Sequence, residues 1–260
     1  MSAVGEQLAV STPRARVSRV LDTVYAIAGL VLAWQVLHWI AGGLVLPSPL
    51  GAANRLALIA AGPEFAGHAW ETGRAFATAL LISLIGGLGL GVLLGVHRLS
   101  GEVAEPLLVA LYSIPKITLY PLILLLFGLG ISAKIAFGTL HGVIPIILFT
   151  LAAVRNIKPI LLKTGRTLKL TPLQTVRSIL FPATLPEIFT GLRVGFSLTL
   201  IGTLLAEMFA SQRGLGFLLM NGIGLHNVEM IMAITLMIVV FAAAVSTLLL
   251  HIDHRLHQRL

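Results

Sequence analysis

The chain contains no cysteine. That excludes a disulfide framework, a thiol nucleophile and any cysteine metal site. Charge is almost as scarce. Only 11% of residues are charged and 57% are hydrophobic, whereas a soluble domain carries about 25% charged residues. This composition makes an integral membrane protein, with one membrane domain as the expectation. The apolar runs hold one Glu and no Asp, too few for the relay of buried acids that a proton-driven carrier uses. No Gly-x-x-x-x-Gly-Lys-Ser/Thr loop occurs, so any ATP is bound by another chain. No His-Glu-x-x-His or other metal spacing is present, and no Gly-x-Ser-x-Gly that would support a serine hydrolase. His251, His254 and His257 recur every three residues and read as histidines on a helix end, not a metal site. There are no duplicated halves with paired broken helices.

What is there is a series of long apolar runs. Residues 24–45, 75–96, 106–128, 135–154, 188–210 and 231–250 are each long enough, at about 20 residues, to cross a bilayer core. They predict an all-α protein with six transmembrane helices. Residues 1–23 read as a mobile cytoplasmic tail, retained because the first apolar run is too long for a signal peptide. Residues 46–73 read as an extracytoplasmic loop with one amphipathic helix, residues 217–229 as a half-inserted or surface segment, and residues 253–260 as a short basic tail. The third span is broken by Ser113-Ile-Pro-Lys-Ile-Thr-Leu-Tyr-Pro121. Two prolines around Lys116 are incompatible with an uninterrupted helix, and in lipid the freed backbone groups need protein or water partners.

The formal net charge is +8. Six spans put both termini on one side. That side then holds Arg14, Arg16, Arg19, Arg98, Arg155, Lys158, Lys163, Arg166, Lys169, Arg177, Arg255 and Arg259. The other side holds Arg55, Arg74, Lys134 and Arg213. This asymmetry predicts that the termini and residues 155–186 are cytoplasmic. It also explains the basic surplus without nucleic acid.

Ala79, Ser83, Gly87, Gly91 and Gly95 place a small residue at every fourth position of the second span. Such a stripe lets another helix pack closely; lining a transport path is the alternative. Beyond His38 in the first span, Lys116, His141 and Glu207 are the ionisable residues within the spans, with Arg193 near the cytoplasmic boundary. Intramembrane ionisable groups usually face the bundle interior and mark function. Lys116, with Tyr120 beside it, is positioned to meet an anion in a water-filled path, to pair with Glu207, or to snorkel. Glu207 fits a hydrogen bond to neighbouring backbone, and His141 a satisfied core histidine.

The one heavily charged insertion is Arg155 to Pro186, with six of the eighteen Lys and Arg residues and no acid. Pro159 to Leu170 reads as one short helix. Thr171 is an N-cap with Pro172 at the first position of a second, which is expected to end at Phe181-Pro182. A helix-turn-helix projecting into the cytoplasm follows. Spacing alone leaves open an ordinary amphipathic surface hairpin.

Lys163-Thr-Gly-Arg-Thr-Leu-Lys, Ile179-Leu-Phe-Pro-Ala-Thr-Leu-Pro186 and Gly191-Leu-Arg193 resemble the cytoplasmic coupling loop of bacterial ABC importer permeases. The family form is Glu-Ala-Ala-Arg-x-Leu-Gly followed by Leu-Pro-x-Ala-Leu-Pro. Pro47-Ser-Pro49, Ser113-Ile-Pro-Lys116, Pro121-Leu122, Phe127-Gly128, Ala206-Glu207 and Gly214-Leu-Gly-Phe217 are similar to pieces of the nitrate, sulfonate, taurine and bicarbonate branch. The match runs from about Leu46 to the C-terminus. The departures are Lys163 for Glu, Thr164-Gly165 for Ala-Ala and Lys169 for Gly.

The resemblance implies a type I ABC importer permease fold, with an ABC transmembrane type-1 domain over residues 70–252. It implies a coupling loop made of Lys163, Thr164, Gly165, Arg166, Leu168, Lys169, Leu170, Thr171, Pro172, Pro182 and Pro186. The expected partners are a second copy of the chain, two ATPase subunits carrying ATP and Mg, membrane lipid, and a periplasmic or lipid-anchored substrate-binding protein. The chain itself is expected to be non-catalytic and to hold no cofactor. The expected location is a bacterial plasma membrane, the inner one if Gram-negative. The expected cargo is a small solute, an anion such as a sulfonate, taurine, nitrate or bicarbonate, along a path near Lys116, Tyr120, His141 and Glu207. The rival readings are an ion-gradient-driven secondary transporter or channel, and a membrane enzyme.

Overall fold

The structure is a computed structural model that describes residues 13–257, and all regular elements in that range are helical. The expected cytoplasmic N-terminal tail at residues 1–12 and the basic tail at residues 258–260 lie outside the described residues. The elements are α1 (Pro13–Ala41), α2 (Pro49–Ala60), α3 (Phe65–Val96), α4 (Arg98–Ser113), a 3₁₀ turn (Lys116–Leu119), α5 (Tyr120–Phe127) and α6 (Ile131–Arg155). Then follow α7 (Pro159–Thr167), α8 (Pro172–Thr175), a π-helical turn (Val176–Leu180), α9 (Phe181–Ala210), α10 (Leu215–Gly224) and α11 (Val228–His257). Five helical runs are long and apolar enough to cross a membrane, and α4 with α5 form a sixth candidate bent by 87°.

Side-chain size sets the core. α3, α6 and α9 meet through residues too small to hold them apart. A Cβ built on Gly91 would lie 2.5 Å from Thr150 Cβ, one on Gly87 2.6 Å from Ile146, and one on Gly95 2.7 Å from Val154. All five members of the small-residue stripe in α3 are buried. On an adjoining face α6 meets α9 in the same way: Gly138 faces Thr203, Gly195 faces Ile146 and Gly191 faces Phe149. Only Gly permits these approaches, and dispersion over the close contact supplies the attraction that hydrophobic burial cannot supply in lipid.

The order of these contacts gives the topology. Residue numbers rise together along α3 and α6, so the two helices are parallel. They run oppositely along α6 and α9, so that pair is antiparallel. The chain leaving α3 at Val96 must therefore return to the start of α6 before Ile131. The bent α4–α5 pair makes that return past a helix of 25 residues, about 37 Å at 1.5 Å per residue. It is a crossing, and the six expected spans hold. One end of the bundle gathers the α3–α4 turn, residues 156–180 and the end of α11, where Arg193 lies 3.8 Å from Asp253. The opposite end gathers α2, residues 128–130 and residues 211–227, with Arg55 3.9 Å from Glu229.

Several boundaries differ from those expected. The first span ends at Ala41 rather than at residue 45, because Gly42 takes φ +82° and the chain folds back. Trp34 Nε1 donates to Pro47 O at 3.0 Å, and His38 Nδ1 lies 2.6 Å from Leu46 O. The helix also begins at Pro13, inside the expected tail. Ser48 caps α2 by accepting from Gly51 N–H at 3.0 Å, with Pro49 at the first position. α3 starts at Phe65, well before residue 75, because Glu71 and Arg74 pair with each other at 3.2 Å. Residues 98–105, between the expected second and third spans, are helical, supported by an Arg98–Glu102 pair at 2.9 Å. The second helix of the basic stretch does not stop at Phe181-Pro182. Pro182 has no N–H for the Ser178 carbonyl, and the wide turn over Val176–Leu180 carries the chain into α9 instead.

Gly91→Ala should lower the thermal midpoint of the detergent-solubilised chain, by the equivalent of about 1–3 kcal/mol of overpacking. Gly89→Ala, which meets nothing within 4 Å, should leave it unchanged or raise it. Equal melting of the two variants would contradict the packing described here.

Candidate functional site

The site has two ends joined by one helix. At the first end, Pro159 opens α7, and the helix closes in a Schellman turn. Leu170 N–H donates to Gly165 O at 3.1 Å and Lys169 N–H to Arg166 O at 3.0 Å. Lys169 takes φ +52°, the left-handed position where the resemblance puts Gly. A side chain there costs about 1 kcal/mol. Thr171 and Gln174 then form a capping box: Thr171 N–H donates to Gln174 Oε1 at 2.9 Å and Gln174 N–H to Thr171 Oγ1 at 3.3 Å. Gly165 is buried because α7 lies against the next turn, where its Cβ would reach Ile179 Cδ1 at 3.2 Å. Thr164 Oγ1 returns to Ile160 O at 3.0 Å.

This packing turns the polar and apolar groups of the loop outward. Lys163, Arg166 and Lys169 are exposed, and so are Leu168 and Leu173. Bare leucines beside three cations, with no acid among them, make a surface suited to a protein partner with acidic groups around an apolar cleft. Pro186 is buried where the helix enters the bundle, and Pro182 is half-buried. From Leu173 to Phe209 the chain is a single apolar helical run.

At the other end of that run Glu207 is fully buried. Thr72 Oγ1 lies 2.9 and 2.8 Å from its two carboxylate oxygens. Gly216 N–H donates to it at 3.0 Å, and Lys134 Nζ lies 3.6 Å away. Lys134, 2% exposed, also donates to Arg213 O at 2.7 Å and to Glu71 Oε1 at 3.3 Å. Thr72 Oγ1 accepts from Leu215 N–H at 2.8 Å, and His68 Nδ1 accepts from Gly214 N–H at 3.1 Å. The cluster therefore pins the starts of α3 and α6, the end of α9 and the turn after it. Gly214 has no room for a side chain, because a Cβ would overlap the Glu207 carboxylate. The expected backbone hydrogen bond of Glu207 is present. Lys134 and Glu71 were missed, because each lies in a polar stretch at the edge of a predicted span.

Lys116 does not pair with Glu207, which Lys134 holds. Its Nζ donates to Tyr112 O at 3.0 Å and lies 4.9 Å from the centre of the Tyr112 ring. It thus places a cation on a carbonyl left open where α4 ends at the bend. Tyr120 Oη donates to Ala206 O at 2.7 Å, and its ring stands edge-on to Phe137, 4.8 Å between centroids. His141 Nδ1 is 2.9 Å from Phe137 O, and its ring packs on Phe137 at 4.5 Å. Tyr120, His141 and Glu207 are therefore brought into one buried region around Phe137 and Ala206. Lys116 sits beside it at the bend. Among the described residues no group of three or more His, Asp or Glu is arranged to hold a metal ion.

A six-span bundle with a basic projecting loop and a buried polar cluster is the architecture of a membrane permease. Residues 87–260 match the family described as the binding-protein-dependent transport system inner membrane component, and the chain belongs to that family. The taurine transport system permease protein TauC of Escherichia coli is 28% identical over 68% of this chain and 66% of its own length. The osmoprotectant import permease protein OsmW of Salmonella typhimurium is 33% identical over 73% of this chain and 86% of its own. A chain of the MetNI methionine ABC transporter, in an inward facing conformation, superposes with a TM-score of 0.61. It covers 72% of this chain and 93% of that one, at 22% identity, and shows a shared fold. The chain is a multi-pass membrane permease of the type I ABC importer fold, a subunit of a binding-protein-dependent transport system.

Lys134→Met should destabilise the solubilised chain by about 3–5 kcal/mol, because it leaves buried carboxylate charge without its cation. Adding Glu207→Gln should restore part of that loss. A double variant less stable than Lys134→Met alone would rule out the pairing as the source.

Proposed function

We propose that two copies of the chain form the path of an ATP-driven importer, with two separate ATPase subunits that bind ATP and Mg and a substrate-binding protein on the other face. The basic end is cytoplasmic in this reading, because cations accumulate on that side of the membrane. Both termini then lie in the cytoplasm. The observation that carries the proposal is the continuity of the helical run from Leu173 to Phe209. At 37 residues it spans about 55 Å, from the exposed loop to the Glu207–Lys134 pin. A push on the loop by a closing ATPase dimer is delivered to a lever held at its far end. The bundle then rocks as a rigid body between inward-open and outward-open states.

ATP hydrolysis belongs to the partner chain, and this chain contributes no catalytic group. Its exposed cations Lys163, Arg166 and Lys169 face an acidic cleft on the ATPase. The cargo is a small solute, and we favour a small anion. Lys116 at the bend supports that class, and the taurine relative supports a sulfonate group on the cargo. The osmoprotectant relative supports a zwitterion as the second reading.

The charge-reversed Lys163→Glu/Lys169→Glu pair should keep the fold, because Glu at 169 adopts the same backbone as Lys. It should lose most binding-protein-stimulated ATP hydrolysis in the reconstituted complex. Lys169→Gly, which relieves the left-handed strain, should retain it. Full stimulation in the double variant would remove the acidic-cleft contact. For the cargo, the thermal shift of the cognate binding protein with alkanesulfonates and nitrate should exceed the shift with glycine betaine. The reverse order would favour the zwitterion.

A further inference from the structure

α9 carries the loop's motion into the bundle, but α4, which leads to the bend at Lys116, is not continuous with the loop. α4 is also loosely seated: Gly101 is its one buried residue, and Leu99, Val103, Leu107 and Leu111 are exposed. One side chain bridges the gap. Arg155 is the last residue of α6 and the first cation of the loop. Its Nη1 lies 2.6 Å from Glu105 Oε2, and its Nη2 lies 3.9 Å from Glu102 Oε1. Arg98 Nε holds the same Glu102 oxygen at 2.9 Å. The helices are close enough for this because position 101 is Gly. A Cβ there would lie 2.8 Å from Leu94 O and 3.4 Å from Arg155 Cδ. A cavity of about 580 Å³ opens beside the pair, lined by Gly95, Arg98, Glu102, Glu105 and Arg155 among others. The groups are thus reached by water and are able to slide against their neighbours.

We propose that Arg155, gripping Glu105 and Glu102, is the positioning residue that passes displacement of the loop to α4, and through α4 to the bend at Ser113–Lys116. The inference rests on the coupling reading above and adds a second arm to it. α9 moves the wall of the bundle, while the Arg155 grip moves the bent helix that carries Lys116. Without the grip, the loop still responds to the ATPase and α9 still moves, but α4 lags behind. ATP is then hydrolysed with less solute carried.

The test reconstitutes the permease with its ATPase and binding protein in proteoliposomes and reads hydrolysis and uptake together. Arg155→Gln and Glu105→Gln should each keep binding-protein-stimulated hydrolysis while uptake per ATP falls roughly three- to fivefold, the range expected for a partly exposed charge pair. The swapped pair Arg155→Glu/Glu105→Arg should restore much of the ratio. A second readout does not depend on turnover. The chain has no native cysteine, so spin labels on Val103→Cys in α4 and Ile160→Cys in α7 report one distance. That distance should stay constant between nucleotide-free and nucleotide-trapped states, and change with nucleotide once Arg155→Gln is added. An unchanged uptake-to-hydrolysis ratio in both single variants, or a label distance indifferent to Arg155, overturns the proposal. If the unsubstituted complex binds no ATPase, or takes up solute equally well without ATP, the coupling reading itself has failed and this proposal with it.

Discussion

A carboxylate sealed from water requires its partners to be in place before the helices around it come to rest. Glu207 is such a group, and its partners come from three separate stretches of chain: Thr72, Lys134 and the turn after α9. In lipid no solvent substitutes for any of them. The cluster therefore decides where the far ends of α3, α6 and α9 meet, even though a buried ion pair is a poor source of net stability. Its value is positional. Removing Lys134 leaves the Glu207 carboxylate without the cation beside it.

The glycine seams extend that fixed point along the bundle. Gly87, Gly91 and Gly95 on α3, Gly138 and Gly142 on α6, and Gly191 and Gly195 on α9 bring three backbones together. A seam of this kind has one good register, because each glycine must sit opposite a particular side chain of the neighbouring helix. Three helices joined in this way move as a block. The seams reach the basic end, where Gly95 meets Val154 and Gly191 meets Phe149. Outside this block, α7 packs against the turn that leads into α9, and α4 is held to α6 by ion pairs that water reaches. A rigid three-helix block and the parts attached to it are thus distinct. That division suits a protein in which motion enters at one end and is resisted at the other.

The basic loop illustrates how local chemistry shapes a partner surface. The Schellman turn and the capping box use up the polar backbone groups of the turn. Leu168, Leu173 and the lysine side chains are left for outside contacts. Lys169 holds the left-handed position at a small cost in strain. The same turn with Gly would be easier to form.

The sequence by itself determined the membrane class, the six crossings, the breaks at Pro115 and Pro121, the capped turn at Thr171-Pro172 and the small-residue stripe. Each of these depends on composition or on spacing along one helix, where physical rules act locally. Element ends were read less well. Glu71, Arg98 and Lys134 are charged, and charge next to an apolar run reads as the end of a span. The folded chain shows how they are neutralised: Glu71 and Lys134 pair across helices, and Arg98 pairs with Glu102 within α4, so α3, α4 and α6 continue past them. It also decided that Lys134 rather than Lys116 meets Glu207, that Pro182 sits in a widened turn instead of ending a helix, and that Arg155 reaches α4. All of these depend on which residues distant in the chain become neighbours. That follows from glycine seams and helix direction, which no single stretch of sequence displays.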